Sequence, residues 1–303
     1  MKTEEAVVRE YEFWLAYVQR FAAAYQAGRR RETPSPEFSS ASRNRSSQPG
    51  PRIMICAPHP DDELLTGALS LRLLKGGAAV LDLALTLGSD PARQQERKKE
   101  LAAACKTMGF EWQLAEEPLG FSGLSQSVEG SSEWQRQTGV LQDHFKQKRP
   151  EAVILPHDLD GHPSHRVAHR LVVQSLQKYA LEQACEVLLI ETEYWQSVAD
   201  PDLLLGLGAA DVAWLLTALV QHRGEVQRQP YHLWQPPRLM DSVRRGSELV
   251  SGFGQRAVDF LFGELYRISK IASDGRLQRA TAKAVIPPGE KVDLTRLRAF
   301  VQN

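Results

Sequence analysis

The sequence has few cysteines and no excess of either charge. Its three cysteines, Cys56, Cys105 and Cys185, lie in separate apolar segments, and no two form a CxxC spacing. A sparse, odd set argues against a disulfide framework and against a cysteine-built zinc site, and it fits a reducing compartment. Lysine and arginine together number 37, and so do aspartate and glutamate. This balance gives no electrostatic case for nucleic acid as a partner.

Long hydrophobic runs are also missing. The segment MKTEEAVVREYEFWLAYVQRF has charges throughout and no apolar region like that of a signal peptide. The most apolar stretch, Leu203 to Val220, contains Asp211 and is shorter than the ~20 residues of a membrane span. We interpret this stretch as a buried helix. The chain is therefore expected to be soluble and cytoplasmic, with no membrane span.

The first 51 residues fall into two parts of different character. Residues 1–28 are predicted to form an amphipathic helix, because apolar side chains recur at helical spacing. These are Val7, Tyr11, Trp14, Val18 and Phe21. Such a helix must dock on its own domain or on a neighbouring subunit, so a homo-oligomer is one expectation. Residues 29–51 are rich in Ser, Pro and Arg and are predicted to be a linker.

From residue 52 onward, predicted strands alternate with predicted helices. The strands are expected at 53–57, 79–87, 152–155 and 187–191. The helices are expected at 63–75, 92–108, 130–148, 166–179, 209–222 and 256–269. This alternation predicts an α/β fold with a mostly parallel sheet and helices on both faces. Residues 223–255 are rich in Pro, Arg and Gly and are expected to be irregular, with 241–255 as a lid, a substrate loop or a subunit contact.

Histidines and carboxylates follow two of the predicted strands. His59, Asp61 and Asp62 follow the first strand, in ICAPHPDDELLTGA. The segment PHDLDGHPSHRVAHR follows the strand at 152–155 and contains His162 and His165. Ligands of open α/β sheets bind beyond the carboxyl ends of the strands. Both loops are therefore expected at one edge of the sheet.

These residues also have ordinary structural explanations. Asp61 and Asp62 are placed to cap a helix N-terminus, and His165 with His169 could form one polar helix face. Taken together, His, Asp and His are the ligand types of a catalytic zinc site, and a cation would relieve the crowding of charge. The same types occur in non-haem Fe(II) oxygenases, which commonly have all-β barrels. A non-catalytic metal- or sugar-binding module is a further alternative.

The motif APHPDDE, followed about a hundred residues later by GHPSH, resembles the PIG-L/LmbE-like family of zinc-dependent N-acetylglucosaminyl deacetylases. The likeness covers roughly residues 52–229 and includes RQQERKKELAAACKTMGF and, more weakly, ALVQHRGEVQRQPY. It implies a single Rossmann-like domain over 52–303, with a family-variable part at 228–275. It also implies removal of the acetyl group from an N-acetylated amino sugar by a metal-activated water, with one Zn²⁺ per chain.

The resemblance also implies roles for individual residues. The expected metal ligands are His59, Asp62 and His165. Asp61 would be the general base, and His162 would donate a hydrogen bond to the oxyanion or to the departing amine.

Two further positions match substrate-binding residues of the family. Arg97 suits sugar hydroxyls or a phosphate, although ERKKE also fits surface i,i+4 pairing. His222 either reaches the acyl pocket or caps the preceding helix.

The sequence departs from the family pattern at two places. Ser164 stands where the family usually has an aspartate, and Gly224-Glu225 replace a Ser-Gln pair. A serine adds no negative charge, so His162 is expected to be less basic here. Asp158 and Asp160 are the candidates to compensate for this change.

Overall fold

The computed structural model describes residues 2–31 and 50–301, without the side chains of residues 2–8. These ranges belong to two compact units, one holding the N-terminal helix and the other everything from Gly50 onward. The helix, α1, spans Lys2–Arg30, which confirms the helical prediction for this segment. Most of the predicted linker at 29–51 lies outside the described residues. Within the described ranges, no helix is both long and apolar enough to cross a membrane.

The second unit contains nine strands and nine α-helices among its described residues. The strands are β1 Arg52–Ala57, β2 Ala79–Ala84, β3 Glu111–Leu114, β4 Ala152–Pro156, β5 Val187–Thr192, β6 Leu203–Leu207, β7 Phe262–Ile271, β8 Leu277–Arg279 and β9 Ala284–Ile286. The helices are α2 Asp62–Leu65, α3 Ala68–Lys75, α4 Pro91–Met108, α5 Ser132–Lys148, α6 Pro163–Gln183, α7 Ala209–Leu219, α8 Arg223–Arg228, α9 Tyr231–Leu249 and α10 Leu294–Arg298.

All nine strands belong to one sheet. Its order is β3-β2-β1-β4-β5-β7-β6-β9, with β8 paired to β7. The first five strands of this order are parallel, whereas β7 runs antiparallel to β5 and β6. The order β3-β2-β1-β4-β5 is that of doubly wound nucleotide-binding folds. The prediction of a mostly parallel, Rossmann-like sheet is thus confirmed.

Helices cover both faces of the sheet, and β1 shows how the sequence specifies this. Ile53 and Ile55 pack in a core with residues of α3, α4 and α7. Met54 and Cys56 face the other side and pack with α5 and α6. A strand covered on both faces is continuously apolar, which is the pattern read in the sequence. Because β1 and β4 are neighbouring parallel strands, the loops that follow them open at the same edge.

The stretch Leu203–Val220 was predicted to be one buried helix, and this prediction is wrong. Leu203–Leu207 forms β6, and the helix α7 begins only at Ala209. Residues 223–255 are not irregular either, since they contain α8 and α9. Gly246 permits close packing of α9 rather than a turn. A Cβ at this position would lie 2.9 Å from side-chain carbons of Leu204 and Leu265.

The predicted helix at 256–269 is also wrong, because this part of the chain contains β7. Pairing of β7 with β5 and β6 buries nearly all of its residues. Its charged side chains find partners on neighbouring elements. Arg267 contacts Glu191, and the Lys270 Nζ donates to Glu186 Oε1 at 3.0 Å. The short strands β3, β8 and β9 were not predicted.

Candidate functional site

The loop after β1 bends sharply at Asp61. This residue has φ of 103° and ψ of −29°, a left-handed conformation that is unusual for any residue except glycine. Its backbone N–H donates to Glu63 Oε2 at 2.8 Å, so the buried carboxylate of Glu63, two residues further along, fixes the bend. The His59 N–H donates to Asp62 Oδ2 at 2.9 Å. These two bonds hold the carboxylates of the motif in a defined arrangement.

The second loop is organised by Asp160, which is fully buried. Its Oδ1 accepts a hydrogen bond from the His162 N–H at 2.8 Å, and its Oδ2 accepts one from the Trp195 N–H at 3.0 Å. His162 immediately precedes α6, and His165 lies in the first turn of that helix. Asp160 therefore connects the loops after β4 and β5 and places both histidines at the sheet edge.

His59, Asp62 and His165 come together as predicted. Each offers one potential ligand atom, and these atoms lie within 4.8 Å of one another. Asp62 Oδ2 is 3.3 Å from His59 Nδ1 and 3.3 Å from His165 Nε2. The three residues form a His-Asp-His group that could hold a metal ion, and we call this group the metal triad.

The donor set of the metal triad fits a tetrahedral divalent cation. Two ligand atoms that each lie about 2.0–2.2 Å from such an ion are separated by about 3.3–3.6 Å, and the two separations given above are 3.3 Å. His165 is fully buried, and neither of its ring nitrogens has a hydrogen-bond partner. A buried imidazole without partners is costly unless it binds something. A cation on Nε2 would satisfy that nitrogen.

The charges around the triad agree with this fit. Burial alone would raise the pKa of Asp62, but the adjacent His165 and His59 more than offset it, so the pKa falls below its usual value. Burial lowers the pKa of His165, and the carboxylate of Asp62 raises it to a net increase. Asp62 and His165 therefore favour each other's charged forms. A bound cation would take over the role of the proton on His165.

Asp61 lies beside the triad but outside it. Burial and then the charge of Asp62 raise the pKa of Asp61 well above its usual value, while Arg97 acts in the opposite direction. Arg97 Nη2 is 3.9 Å from Asp61 Oδ1. A divalent cation in the triad would favour the ionised form, which a general base requires.

Ser164 joins two of the site histidines. Its Oγ lies 2.6 Å from His162 Nδ1 and 3.1 Å from His59 Nε2. Burial, followed by the charges of His59 and His165, lowers the pKa of His162. Ser164 is not among the causes of this shift, so the expected effect of a serine at this position stays a prediction.

Of the two candidate compensating carboxylates, only Asp160 contacts the site. Its Oδ1 lies 3.3 Å from His165 Nδ1, in addition to its bond with the His162 N–H. Asp158 instead pairs with Arg267, with 2.5 Å between Oδ1 and Nη2. Asp160 therefore lies beside the metal triad, whereas Asp158 belongs to another cluster of charges.

Arg97 and His222 both contact the APHPDDE motif. The Arg97 Nη2 donates to the Pro60 carbonyl at 2.9 Å, and its Nε lies 3.5 Å from Glu225 Oε1. His222 is fully buried, and its Nε2 lies 2.7 Å from Glu63 Oε1. His222 precedes α8, and its Nδ1 has no hydrogen-bond partner, so neither ring nitrogen bonds to the preceding helix. Both side chains thus support the loop that carries Asp61 and Asp62.

Several residues around the triad were not singled out in the sequence. The ring of Tyr194 packs edge-on against His165 with centroids 4.9 Å apart. Trp195 is 55% exposed, and its ring centroid is 6.1 Å from that of His162 and 6.2 Å from that of Tyr231. The sequence held a signal for Tyr194 and Trp195, because the segment EYW follows β5, the parallel strand beside β4. The rule that pointed to the loops after β1 and β4 applies to this loop as well.

Comparison with known proteins identifies the relatives of this chain. Residues 54–176 match the family model described as "PIG-L: GlcNAc-PI de-N-acetylase". A curated relative from Salinispora arenicola is named 1D-myo-inositol 2-acetamido-2-deoxy-alpha-D-glucopyranoside deacetylase. It is 25% identical over 192 residues, which cover 54% of this chain and 62% of the relative. The chain thus spans less than two thirds of that relative's length.

Two solved structures show the same fold at low sequence identity. The N,N'-diacetylchitobiose deacetylase from Pyrococcus horikoshii matches with a TM-score of 0.52 and 15% identity, over 77% of this chain and 88% of its own. The 4-carboxy-2-hydroxymuconate hydratase GalB from Pseudomonas putida matches with a TM-score of 0.53 and 16% identity, over 72% and 95%. A deacetylase and a hydratase share this fold, so the fold does not identify the reaction. Residues 54–176 are thus similar to the PIG-L family, and the sheet and the metal triad agree with that likeness.

Proposed function

We propose that this protein is a zinc-dependent hydrolase that removes the acetyl group from an N-acetylated amino sugar. The observation that carries the proposal is the metal triad, with Asp61 beside it, in a chain whose residues 54–176 match a de-N-acetylase family. The curated relative, named for removal of an acetyl group from a glucosamine-type sugar, supports the substrate class. The catalytic domain would comprise residues 52–303, with 228–275 as its variable part.

Asp61 is the proposed general base. A Zn²⁺ held by the metal triad would supply Lewis-acid chemistry, polarising the acetamide carbonyl and acidifying a water. Asp61 would take one proton from the attacking water as that water's oxygen forms a bond to the acetyl carbon. It would then deliver this proton to the sugar nitrogen as the carbon–nitrogen bond breaks, so that the free amine and acetic acid leave, and the acid loses the second proton of the water to solvent as acetate. Its fixed left-handed backbone holds the carboxylate beside the triad throughout.

His162 is the proposed donor to the developing oxyanion. The distances at Ser164 support one arrangement of protons, in which His59 Nε2–H donates to Ser164 Oγ and the serine hydroxyl donates to His162 Nδ1. His162 would then be neutral and carry its remaining proton on Nε2. A pKa lowered by burial favours this neutral form. A neutral imidazole donates a hydrogen bond without giving up its proton.

Trp195 and Tyr231 are proposed to form the wall that contacts the sugar ring. Both lie beside the site residues: Trp195 is close to His162, and the charge of Asp61 contributes, after burial, to the raised pKa of Tyr231. Partly exposed aromatic rings that border a polar site provide an apolar surface and a polar edge. The C–H face of a pyranose suits such a surface, whereas a small amide without a ring does not.

Arg97 and His222 are proposed to position the catalytic loop. Arg97 bonds to the Pro60 carbonyl, and its guanidinium is near Asp61 and Glu225, so it would orient Asp61. His222 is buried and contacts Glu63, whose other oxygen accepts the Asp61 N–H. The chain His222–Glu63–Asp61 supports a role in holding the bend. Direct substrate binding by His222 is not favoured by its burial.

The proposal is tested by amine and acetate release from a small panel of substrates. Zinc-loaded protein would be incubated with N-acetylglucosamine, N,N'-diacetylchitobiose and N-acetylglucosaminyl inositol, and with 2-acetamidoethanol as the ringless control. We expect equal amounts of amine and acetate from at least one sugar, about one zinc per chain, and loss of activity with a chelator. A metal-replete protein that releases no amine from any of them would contradict the proposal. Substrate-dependent oxygen uptake with Fe(II) would instead favour the oxygenase alternative, which the open α/β sheet does not support.

A cytoplasmic location is proposed as well. All three cysteines are free, and Cys56 and Cys105 are buried, which is compatible with a reducing compartment.

A further inference from the structure

The helix α1 has a continuous apolar face that is open to solvent. Seven large apolar side chains on it are between 40% and 64% exposed: Tyr11, Phe13, Trp14, Leu15, Tyr17, Val18 and Phe21. Four aromatic rings form a ladder of edge-on contacts along the helix, with centroid separations of 5.0, 5.6 and 5.1 Å. A contiguous exposed patch of aromatic side chains marks an interaction surface.

The spacing of this face is that of a coiled coil. Large or small nonpolar residues recur at alternating intervals of three and four: Tyr11, Trp14, Val18, Phe21, Tyr25 and Gly28. This is the seven-residue repeat in which the first and fourth positions face a partner helix. The positions opposite to this face, such as Ala16 and Ala23, are small and exposed. The partner that the repeat fits is therefore another helix of the same periodicity.

The charges of α1 are segregated along its length. In the sequence, residues 2–15 hold four glutamates against one lysine and one arginine. Residues 16–31 hold four arginines and no acidic residue. Two parallel copies would place like charges side by side, whereas two antiparallel copies would place the acidic half of each against the basic half of the other.

We propose that α1 is a dimerisation helix that pairs in antiparallel orientation with α1 of a second copy of this chain. One register satisfies the repeat and places Glu10 and Glu12 beside the basic end of the partner helix. It sets Tyr11 against the partner's Gly28, Trp14 against the partner's Tyr25, and Val18 against the partner's Phe21. A bulky ring then faces the position without a side chain, and Glu10 comes near the partner's Arg31. This inference does not depend on the proposed function.

A membrane surface fits the same face less well. Helices that lie on bilayers have basic polar faces and bind anionic lipid, but the first half of α1 has an excess of acid that anionic lipid would repel. Binding to a fluid membrane surface also does not require nonpolar residues at a strict seven-residue period. A second helix accounts for both observations.

The test is the mass of the full-length chain in solution over a range of concentrations. Sedimentation velocity should show a dimer for the wild type, and Val18→Glu with Phe21→Glu should weaken the dimer at least about 100-fold, because four apolar side chains per dimer would lose their burial. The matched control is Ala16→Glu with Ala23→Glu, which adds the same charge to the opposite face and should leave the dimer intact.

Orientation is tested by cysteine cross-linking. In the antiparallel register the two copies of residue 11 are separated by about 25 Å along the helix. Neither Tyr11→Cys nor Gly28→Cys alone should then give a covalent dimer under mild oxidation beyond the wild-type background. A mixture of the two variants should give a heterodimer.

Four results would overturn the proposal. A wild-type chain that remains monomeric at high concentration would show that α1 docks on its own chain or on another molecule. Cross-linking of Tyr11→Cys with itself would show a parallel pair. Equal dimerisation by the variant with Val18→Glu and Phe21→Glu and by its control would assign the apolar face to another partner. Loss of the dimer in favour of binding to vesicles of anionic phospholipid would assign this face to a membrane surface. Deacetylation assays on the same samples keep this outcome separate from the proposed function.

Discussion

Buried charges occur in two parts of this molecule, and they differ in how completely they are paired. At the edge of the parallel strands, His165 is fully buried and has no hydrogen-bond partner on either ring nitrogen. On the antiparallel side, the buried Glu191 accepts bonds from His169, Arg267 and Arg279. We call the latter group, together with Asp158, the β5–β7 charge cluster. The comparison suggests that saturated charges hold the scaffold together, whereas unsaturated ones are available to a ligand.

The largest expected effect is the loss of a triad ligand. His165→Ala should reduce bound zinc from about one per chain to nearly none and reduce deacetylation at least about 10⁴-fold, because the Lewis acid is lost. His169→Ala, one helical turn further along α6, is the matched control and should retain zinc. Metal analysis by mass spectrometry and initial rates would be measured on the same samples. Full zinc in His165→Ala would mean that this residue is not a ligand.

Asp61→Asn should separate chemistry from metal binding. The variant should keep its zinc, because Asp61 is outside the metal triad, yet lose about 10²–10⁴-fold in kcat, the usual contribution of a general base. The comparison is with Asp62→Asn, which should lose zinc as well as activity. If instead Asp61→Asn loses the metal and Asp62→Asn keeps it, the two carboxylates have been assigned in reverse.

Glu191→Gln tests the saturated cluster. Removing one partner of a buried ion pair should cost about 3–5 kcal/mol of unfolding free energy, without altering zinc content. Burial would raise the pKa of Glu191, but His169 and Arg267 lower it to about 2. The stabilisation from this group is therefore present above the unfolded-state pKa and disappears as pH falls from about 4.5 towards 2. Urea unfolding at several pH values would measure both effects.

The control for this experiment is Glu186→Gln, which removes an exposed pair between Lys270 of β7 and the residue just before β5. An exposed pair contributes about 0–1 kcal/mol, so this change should be small. Equal costs for the two variants would contradict the distinction between the buried cluster and the surface.

Glu264 shows the opposite pH dependence. Burial raises its pKa to about 7, although the Tyr266 hydroxyl and the Ala68 N–H bond to its side chain. Between about pH 4.5 and 7 the unfolded chain ionises this group before the folded chain does, so its contribution to stability falls as pH rises. Glu264→Gln should change by about 3 kcal/mol the difference between the free energies of unfolding at pH 5 and pH 8, because it removes the contribution of this carboxyl group. An unchanged slope of unfolding free energy against pH would refute the assignment.

The smallest expected effect is at the proposed sugar wall. Trp195→Ala should raise KM for N-acetylglucosamine about 10-fold, because a buried aromatic contact is worth about 1–1.5 kcal/mol. Trp195→Phe should restore most of this loss, and the rate with 2-acetamidoethanol should not change in either variant. An equal loss with both substrates would show that Trp195 supports His162 rather than contacting the sugar.

The parts of the fold that could be predicted are those whose signals are local. The continuous apolar runs of β1 and β4 and the motifs that follow them identify the site edge without any knowledge of distant contacts. In β7, by contrast, Glu264, Arg267 and Lys270 recur every third residue, which resembles a helix face. Their true partners lie on α3, β5 and the segment before β5. A pattern that depends on tertiary partners cannot be recognised from one segment alone.

The site shows the same division. His59, Asp62 and His165 were found because metal-ligand types at two strand ends are a distinctive combination. The contact between Glu63 and His222, which supports the loop that carries Asp61, could not be predicted, because 159 positions separate the two residues in sequence. The role of Ser164 as a bridge between two histidines depends on distances of 2.6 and 3.1 Å that no spacing encodes.

The position of β7 has a consequence for how the chain is made. This strand follows β5 and β6 in the sequence but lies between them in the sheet, and it begins 70 residues after β5 ends and 55 residues after β6 ends. During synthesis, the strands that carry the metal triad emerge and can pair while β5 and β6 still lack the neighbour that joins them. Until Phe262–Ile271 leaves the ribosome, both strands expose unpaired backbone groups and invite pairing with other chains. The loops that carry the metal triad are therefore translated early, but β5 and β6 are protected from aggregation only once β7 is made.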